Sequence, residues 1–418
     1  MAKSLPRKLV LGFCLLAFAP NLASAERNDE LAIAAERYAG KAIETIKELA
    51  AIESGSYDVA GLARMSDVLE QRLKDLDFEV RRSTSKSDVN ADTLIGVKTG
   101  TGTQRIMLMA HMDTVYASGT LATMPIKQEG KRLYGPGVLD AKGGIAVILY
   151  GLEALRDLEW QDYGSITVLF NPDEETGSAG SGSLISSLAA EMDTVLSFEV
   201  GGSMAKGYGW VLSGTAAYAQ VKMEVKGLSS HAGHDPEKGR NAVIELAHQI
   251  LMTSDAADGV DGAQLNWTNV KADQAFNQIP DYAVAVGDAR ITVEGAEIKL
   301  LEALQSRIAT SSRIPGTETS VSLKILRPGF RANAKSLAVA ELARRVHAEV
   351  STREIYHVPM VKGATDAGYA AVSDDVAVLE GLGPWGADYH GPGEYLDTES
   401  LMPSIYQLGR MLIELGKM

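Results

Sequence analysis

The first residues with metal-binding chemistry follow the apolar segment 105–110. His111 and Asp113 alternate onto one side of the predicted strand at its carboxyl end, where ligands collect in open α/β sheets. An imidazole in that place can bind a metal ion while a nearby carboxylate orients its ring. Taken alone this pair is a weak signal, since a histidine satisfied by ordinary hydrogen bonds explains it as well.

A cluster of acidic residues follows a second apolar segment, 165–170. Asp173, Glu174 and Glu175 are consecutive there, and neighbouring carboxylates repel one another unless a cation or solvent relieves them. Adjacent glutamates also allow one side chain to bind a metal while the other acts as general base. A solvated acidic turn is the alternative interpretation of the cluster by itself.

A glycine-rich loop at 135–144 opens a predicted helix. A dinucleotide site requires G-x-G-x-x-G, and here Asp140 occupies the position of the third glycine, where it would face a pyrophosphate. A carboxylate held on a tight loop suits a cation better, with an ordinary helix cap as the alternative.

Two further residues complete a set with the chemistry of metal ligands. Glu199 ends the predicted strand 194–198, and His390 lies almost 200 residues later in the sequence. The combined set contains nitrogen and oxygen donors without sulfur, which suits two zinc ions that share a bridging carboxylate, other divalent ions being possible. Its members are His111, Asp140, Glu175, Glu199 and His390.

The elements that must position these residues alternate between strands and helices. Helical spacing at 31–52 and 59–76 is followed by short apolar strands and a helix near 144–158, a pattern typical of an α/β domain with helices packed on a buried sheet. From about residue 215 a β-α-β-β-α-β series predicts a small antiparallel sheet, and from about 332 the α/β pattern resumes. We therefore predict one domain in two parts, 26–214 and 332–418, interrupted by an inserted α+β domain, 215–331.

The N-terminus predicts secretion. Three basic residues precede a short apolar run, and Ala23, Ser24 and Ala25 form a small-residue cleavage site, so residues 1–25 are interpreted as a signal peptide and the mature chain as a periplasmic protein without a membrane anchor. The segment contains the only cysteine, which excludes disulfide and thiolate chemistry from the mature chain.

The 418-residue chain has 54 acidic and 40 basic residues, and its net charge of −14 argues against nucleic-acid or anionic-membrane partners.

These motifs together resemble the M20 metallopeptidases, the co-catalytic zinc aminoacylase and carboxypeptidase family. They occur in the family's order and approximate spacing over nearly the whole mature chain. Within the family the sequence is most similar to the bacterial folate-hydrolysing glutamate carboxypeptidases. The matching segments are 111–115, 137–144, 173–178, 197–199, 229–233 and His390.

The resemblance implies a fold and a role for each matching residue. It implies a di-zinc exopeptidase domain with a mixed sheet flanked by helices, and an inserted ferredoxin-like domain that forms a homodimer interface. Asp140 would bridge the two Zn²⁺ ions, with His111 and Glu199 completing one site and Glu175 and His390 the other. The other implied roles are general base for Glu174, orientation of His111 for Asp113, and stabilisation of the oxyanion in the partner subunit's site for His231.

The resemblance also implies how a substrate with a free C-terminal carboxylate is held. Arg290 would bind that carboxylate with its planar fork, Asn277 would support the scissile carbonyl, and Gly363 would line the pocket with backbone groups. Glutamate as the released residue would need a second cation, for which Arg327 and Lys206 are the candidates. The segment 201–210 around Lys206 differs from the glutamate carboxypeptidases, which leaves the preferred residue open.

Three functions remain to be separated. The leading prediction is a zinc exopeptidase that releases a C-terminal amino acid, most plausibly glutamate, from folates, folate analogues or small acylated peptides. An aminoacylase with another preference would use the same metal site. An inactive periplasmic binding protein is the alternative from another class, although a proton acceptor beside the metal ligands argues against it; a serine hydrolase is disfavoured because the sequence contains no G-x-S-x-G motif.

Overall fold

The computed structural model describes residues 26–84 and 87–418. The predicted signal peptide at 1–25 lies outside the described residues. Among the helices of the described residues, none is both long and apolar enough to cross a membrane.

Helices form where apolar residues recur every three or four positions, and several begin at side chains that cap free backbone N–H groups. Asn28 accepts a hydrogen bond from the Leu31 amide, and Asp58 accepts one from the Gly61 amide. The helices are α1 (Asp29–Ala50), α2 (Val59–Asp75), α3 (Lys142–Asp157), α4 (Gly182–Ala189), α5 (Ala242–Thr253), α6 (Ala296–Thr310), α7 (Ala334–Ala348), α8 (Ala367–Ala370) and α9 (Leu401–Gly416).

The strands differ in length along the chain. They are β1 (Glu79–Thr84), β2 (Asp92–Thr99), β3 (Arg105–His111), β4 (Lys127–Glu129), β5 (Arg132–Tyr134), β6 (Ser165–Asn171), β7 (Thr194–Ser197), β8 (Gly202–Ser203), β9 (Tyr208–Leu212), β10 (Ala217–Lys226), β11 (Ser230–His231), β12 (Ala263–Lys271), β13 (Gln278–Ile279), β14 (Tyr282–Ile291), β15 (Glu318–Arg327), β16 (Ile355–Val358), β17 (Ala377–Leu379), β18 (Trp385–Ala387) and β19 (Tyr395–Asp397).

A six-stranded mixed sheet forms the centre of the larger part of the molecule, in the order β1-β2-β6-β3-β7-β17. Strand β3 runs parallel to β6 and β7, whereas β2 runs antiparallel to β6. Helices α1, α3 and α9 pack on one another, and buried side chains such as Ile46, Ile148 and Leu412 fill the core there. The predicted α/β fold with a mixed sheet is confirmed, and its parallel central strands end at one edge.

A second sheet of seven short strands, in the order β16-β9-β8-β18-β19-β5-β4, was not anticipated from the sequence. Most of its strands have only two to four residues, too few for an alternating pattern to be recognised. This sheet includes β9, which directly precedes the inserted segment, and β18, which leads toward His390.

The segment from β10 to β15 forms a separate four-stranded antiparallel sheet in the order β12-β14-β10-β15. Helices α5 and α6 pack on the sheet and on each other, and Val221, Ala289 and Leu300 are buried between these layers. The structure thus contains the β-α-β-β-α-β series. Strand β12 was not located from the sequence, because it is an edge strand whose residues are mostly exposed.

Candidate metal centre

The predicted ligands lie at the edge where the parallel strands of the central sheet end. His111 is the last residue of β3, Glu174 and Glu175 form a short turn after β6, and Glu199 follows β7 by two residues. Because β3, β6 and β7 are parallel, residues distant in the chain converge there.

One group of potential ligands consists of His111, Asp140 and Glu199. The His111 Nε2 atom lies 3.1 Å from Asp140 Oδ1 and 3.5 Å from Glu199 Oε1. The His111 side chain is almost completely buried. These three side chains can therefore direct one nitrogen and two oxygens at a single cation.

A second group consists of Asp140, Glu175 and His390. The His390 Nε2 atom lies 3.1 Å from Asp140 Oδ2 and 3.2 Å from Glu175 Oε2. Within each group the potential ligand atoms lie within 4.8 Å of one another. The structure thus brings together all five residues that the sequence singled out.

Asp140 belongs to both groups through different oxygens. Its Oδ1 atom faces His111 and its Oδ2 atom faces His390, which is the arrangement required of a carboxylate placed between two cations. The donor set of two imidazoles and three carboxylates is one that divalent zinc accepts. The residues present therefore fit a pair of divalent metal ions.

Histidines and carboxylates lie close together in the centre, and they shift one another's pKa values. Burial alone would lower the pKa of His111, but Glu199, Asp113 and Asp140 raise it well above its ordinary value. Hydrogen bonds to Asp140 and Glu175 raise the pKa of His390 to about 10. Burial raises the pKa of Glu199 to about 7 despite the neighbouring His111. Such a cluster favours positive charge at its centre, which protons or metal ions can supply.

Asp113 connects the first histidine to the acidic turn. Its Oδ1 atom lies 3.3 Å from His111 Nδ1, the ring nitrogen opposite the one that faces the centre. The carboxylate also accepts hydrogen bonds from the backbone N–H groups of Glu174 and Glu175 at 3.2 and 3.1 Å and from the Ser56 hydroxyl at 2.7 Å. Asp113 is therefore placed to orient the imidazole and to fix the turn that carries the two glutamates.

The loop that carries Asp140 is held by Glu394, a residue to which the sequence analysis gave no role. The buried Glu394 carboxylate accepts backbone hydrogen bonds from Gly137, Leu139 and Asp140 at 3.1, 2.9 and 3.2 Å, and one from the Tyr116 hydroxyl at 2.7 Å. Its position four residues after His390 was the available signal, but a single glutamate in a loop gives no indication of its backbone partners.

Glu174 lies beside the centre and is paired with Arg327. The Arg327 guanidinium donates to both the side chain and the backbone carbonyl of Glu174, and also to the Ala364 carbonyl at 2.9 Å. Burial raises the pKa of Glu174 well above its ordinary value, while Arg327 and His111 oppose that rise. Arg327 was a candidate cation for the side chain of a substrate. In this structure it contacts the candidate base Glu174 instead.

Arg290 and Gly363 lie near each other. Arg290 forms two hydrogen bonds of 2.8 Å with Asp288, lies over the Tyr218 ring and contacts the Lys362 carbonyl at 3.4 Å. Gly363, the next residue, lines a cavity that opens from the metal centre. Arg290 therefore contacts the chain segment that borders that cavity.

His231 and Asn277 are exposed on the small ribbon formed by β11 and β13, where His231 pairs with Gln278. The His231 Nδ1 atom accepts hydrogen bonds from the amides of Gly233 and His234 at 3.1 and 3.2 Å. Neither His231 nor Asn277 is among the residues that line the cavity at the metal centre of the same chain.

The fold and the site define a class of protein. Residues 107–414 match the sequence model of peptidase family M20/M25/M40, and the chain belongs to this family. It is therefore a metallopeptidase of this family.

The chain is also similar to individual proteins and solved structures. The chain is 36% identical over 418 residues to Carboxypeptidase G2 of Pseudomonas sp. (strain RS-16), covering 100% of this chain and 99% of that protein. It is 28% identical over 192 residues to acetylornithine deacetylase of Edwardsiella ictaluri, covering 45% of this chain and 47% of that protein. Among solved structures, the M20 family metallo-carboxypeptidase Sso-CP2 from Sulfolobus solfataricus matches with a TM-score of 0.72 at 15% identity, covering 90% of this chain and 100% of that one.

Proposed function

We propose that the protein is a zinc-dependent exopeptidase that hydrolyses the amide bond to a C-terminal amino acid. The observation that carries the proposal is the shared Asp140, whose two oxygens face histidines of two separate ligand groups. Glu174 beside them supplies the proton acceptor that binding alone would not need.

The five residues of the centre would hold two Zn²⁺ ions. Asp140 would bridge them, with His111 and Glu199 at one ion and Glu175 and His390 at the other. Ions bound there would lower the pKa of a bound water and polarise the substrate carbonyl. Asp113 would keep His111 Nε2 directed at its ion by holding the opposite nitrogen.

Glu174 would move the proton. Its carboxylate would take a proton from the attacking water at an Oε atom and deliver it to the nitrogen of the leaving amine. Burial raises the pKa of Glu174 above its ordinary value, and a higher pKa makes a carboxylate a stronger proton acceptor. Arg327, which donates to the same side chain, would limit that rise and fix the direction of the carboxylate.

Substrate recognition would use the rim beside Gly363. Arg290 would bind the C-terminal carboxylate, with Asn277 and His231 supplied by the ribbon of a partner subunit to the scissile carbonyl. The family resemblance makes C-terminal glutamate, in folates or acylated peptides, the first residue to consider. Its side-chain carboxylate would require a cation in the cavity, and Arg327 is engaged with Glu174.

We further propose that residues 215–331 form a dimerisation domain. Phe276, immediately before Asn277, is fully exposed, and an apolar side chain in that position gains stability when a partner covers it. The ribbon residues His231 and Asn277 lie away from the cavity of their own chain, which suits a role in a partner's site. Residues 1–25 would direct the chain to the periplasm.

The test is hydrolysis of N-acyl amino acids and folate by the purified, zinc-loaded protein, with Glu174→Gln as the matched variant. We expect release of the amino acid by the wild-type protein and a loss of at least about 100-fold in the variant, with zinc content unchanged. Equal rates in the two proteins would contradict the proposal. Binding of an acyl amino acid without cleavage by either would favour the inactive binding protein.

An aminoacylase remains the second candidate because acetylornithine deacetylase of Edwardsiella ictaluri is among the relatives. The same assay separates the two. Cleavage restricted to short acyl groups such as acetyl indicates an aminoacylase, whereas cleavage of folate or acylated dipeptides indicates a carboxypeptidase.

A further inference from the structure

A cavity of about 630 Å³ opens from the metal centre, a size suited to a small ligand. Its lining includes residues of the centre, such as Glu174 and His390, together with Gly363 and Thr365. This inference rests on the proposed function, because it concerns which amino acid that centre releases.

Part of the cavity lining is apolar and aromatic. Tyr208, Trp210 and Leu212 alternate along β9 and all line the cavity, together with Val358 and Val361. Strand β16 runs parallel to β9 and places Val358 beside Leu212. The lining therefore includes large apolar side chains from two paired strands.

The indole of Trp210 is fixed in position. Its Nε1 atom donates a hydrogen bond of 2.9 Å to the Val200 carbonyl, and its ring meets Tyr208 edge-on at 6.5 Å between centroids. Tyr208 in turn meets Tyr356 edge-on at 5.2 Å. A rigid aromatic wall binds an apolar side chain with little loss of conformational entropy.

The cavity offers little to a second substrate carboxylate. Among the described residues that line it, Lys206 is the one lysine or arginine; Lys206 is exposed, with its Nζ atom 5.9 Å from the Trp210 ring centroid. The fully buried Glu380 also lines the cavity, and one of its oxygens has no hydrogen-bond partner among the described residues. A carboxylate placed there would lose water without gaining a buried cation.

The position of the cavity assigns it to the released residue rather than to the acyl group. Arg290 contacts the Lys362 carbonyl next to Gly363, so a residue whose carboxylate is at Arg290 and whose amide is at the metal centre spans this cavity. A separate groove of about 470 Å³ lies across Glu175 and is lined by Tyr57 and Val115. That groove is left for the acyl part of the substrate.

We infer that the protein releases a large apolar C-terminal residue, aromatic or aliphatic, and that Trp210 and Leu212 determine this preference. Glutamate is a poor substrate. Burial of a phenylalanine or leucine side chain against this wall raises kcat/KM by about 10- to 100-fold over alanine.

The experiment measures kcat/KM for benzoyl-Phe, benzoyl-Leu, benzoyl-Ala, benzoyl-Glu and benzoyl-Lys with the zinc-loaded protein. The constant acyl group keeps the groove at Glu175 equally filled. We expect Phe and Leu to exceed Ala and Glu by at least about 10-fold. Preference for Glu overturns the inference and leaves the exopeptidase function intact, and preference for Lys overturns it in favour of recognition by Glu380.

Variants at two lining residues, Trp210 and Lys206, test the inference directly. Trp210→Ala lowers kcat/KM for benzoyl-Phe by about 10-fold or more and leaves benzoyl-Ala within about threefold, whereas Trp210→Phe retains most of the preference. Trp160→Ala, a remote tryptophan packed on Tyr163, is the matched control. Lys206→Ala leaves the order of substrates unchanged; a selective loss of glutamate cleavage in this variant contradicts the inference.

A binding measurement removes the dependence on turnover. Calorimetry with the zinc-loaded Glu174→Gln protein compares free L-phenylalanine, L-leucine and L-glutamate as released products. Tighter binding of phenylalanine and leucine supports the apolar pocket even if no benzoyl substrate is cleaved, which would count against the proposed function alone. Tighter binding of glutamate overturns the inference.

Discussion

Arg327 and Glu174 form a buried pair that connects the two parts of the molecule. Arg327 is the last residue of β15 in the inserted sheet, whereas Glu174 begins the turn after β6 in the central sheet. The guanidinium binds the Glu174 side chain and its backbone carbonyl at once. The candidate base is therefore positioned by a residue 153 positions later in the chain.

Replacement of Arg327 by methionine should move the acid limb of the pH profile upward. Burial raises the pKa of Glu174 and Arg327 opposes the rise, so loss of the cation raises that pKa further and keeps the base protonated to higher pH. We expect the acid limb of kcat/KM to shift by about one unit or more, with a lower value at pH 7.

The control for this shift is Arg331→Met, which removes an exposed arginine four residues away that donates to the Thr292 carbonyl. Arg327→Lys should give an intermediate shift, because it keeps the charge without the planar fork. An unchanged acid limb in Arg327→Met would show that the pair does not tune the base.

Metal content should follow the two ligand groups. We expect the wild-type protein to bind about two zinc ions per chain and His390→Ala to retain about one, since only the group with Glu175 loses a donor. Asp140→Ala should weaken both sites because Asp140 faces both histidines. Elemental analysis after dialysis measures this, with His234→Ala as the control; loss of both ions from His390→Ala would contradict independent sites.

Glu394→Gln should weaken metal binding without a direct contact to the ions. Glutamine offers one acceptor oxygen and an NH₂ group, so it cannot satisfy the three loop amides that Glu394 now serves. We expect zinc affinity to fall by about 10- to 100-fold, measured by competition with a chelator. Glu399→Gln, which alters an exposed ion pair with Lys131, is the matched control, and equal affinities in the two variants would contradict the role.

His347 should make the fold less stable as the pH falls. Burial lowers the pKa of His347 to about 4, where its ring stacks on Trp385 at 5.6 Å. As the pH falls, the unfolded chain binds the proton first, because an ordinary histidine has a pKa near 6.5. The neutral buried His347 therefore makes its full contribution to the free energy of unfolding above about pH 6.5. That contribution, about 3 kcal/mol in all, is lost as the pH falls toward 4.

The measurement compares the free energy of unfolding of the wild type and of His347→Phe at pH 7 and pH 5. Between pH 7 and pH 5 the free energy of unfolding of the wild type should fall by about 2 kcal/mol more than that of His347→Phe. His234→Phe changes an exposed histidine and serves as the control. Parallel pH dependence of the wild type and His347→Phe would contradict a buried neutral imidazole.

The five candidate ligands could be brought together from the sequence because most of them end a strand or lie in a loop with a recognisable local pattern. The acidic run at 173–175 and the Asp140 loop are local patterns, and parallel strands bring their ends to one edge without further information. The apolar periodicity of α1, α2 and α3 likewise predicted these helices within a few residues.

What the sequence did not reveal depends on contacts between distant residues. Glu394 acts through backbone amides 254 to 257 positions earlier, and Arg327 reaches Glu174 across two sheets. The apolar wall consists of alternating residues of β9 beside β16, a pairing between segments about 145 positions apart. No local pattern specifies such partners, so these contacts are visible only in three dimensions.

The role of His231 predicts complementation between two inactive variants. If His231 of one subunit completes the site of the other, His231→Ala should lose about 100- to 1000-fold in kcat, the cost of one oxyanion donor, and Glu174→Ala should be inactive as well. Coexpressed, the two chains form mixed dimers in which one site combines an intact Glu174 with an intact histidine of the other chain. That site should be active because the defects lie in different subunits.

Half of the dimers in an equal mixture are mixed and each has one complete site, so about one quarter of wild-type activity should return. Coexpression of Glu174→Ala with Glu174→Gln is the control and should give none, because no site then has the base. Recovery would also require the dimer that exposed Phe276 suggests. Ultracentrifugation confirms that the mixed dimer has formed. If no activity returns from that dimer, His231 acts in its own subunit's site or lies outside catalysis. A histidine that acts within its own chain leaves every site of the mixed dimer with one defect.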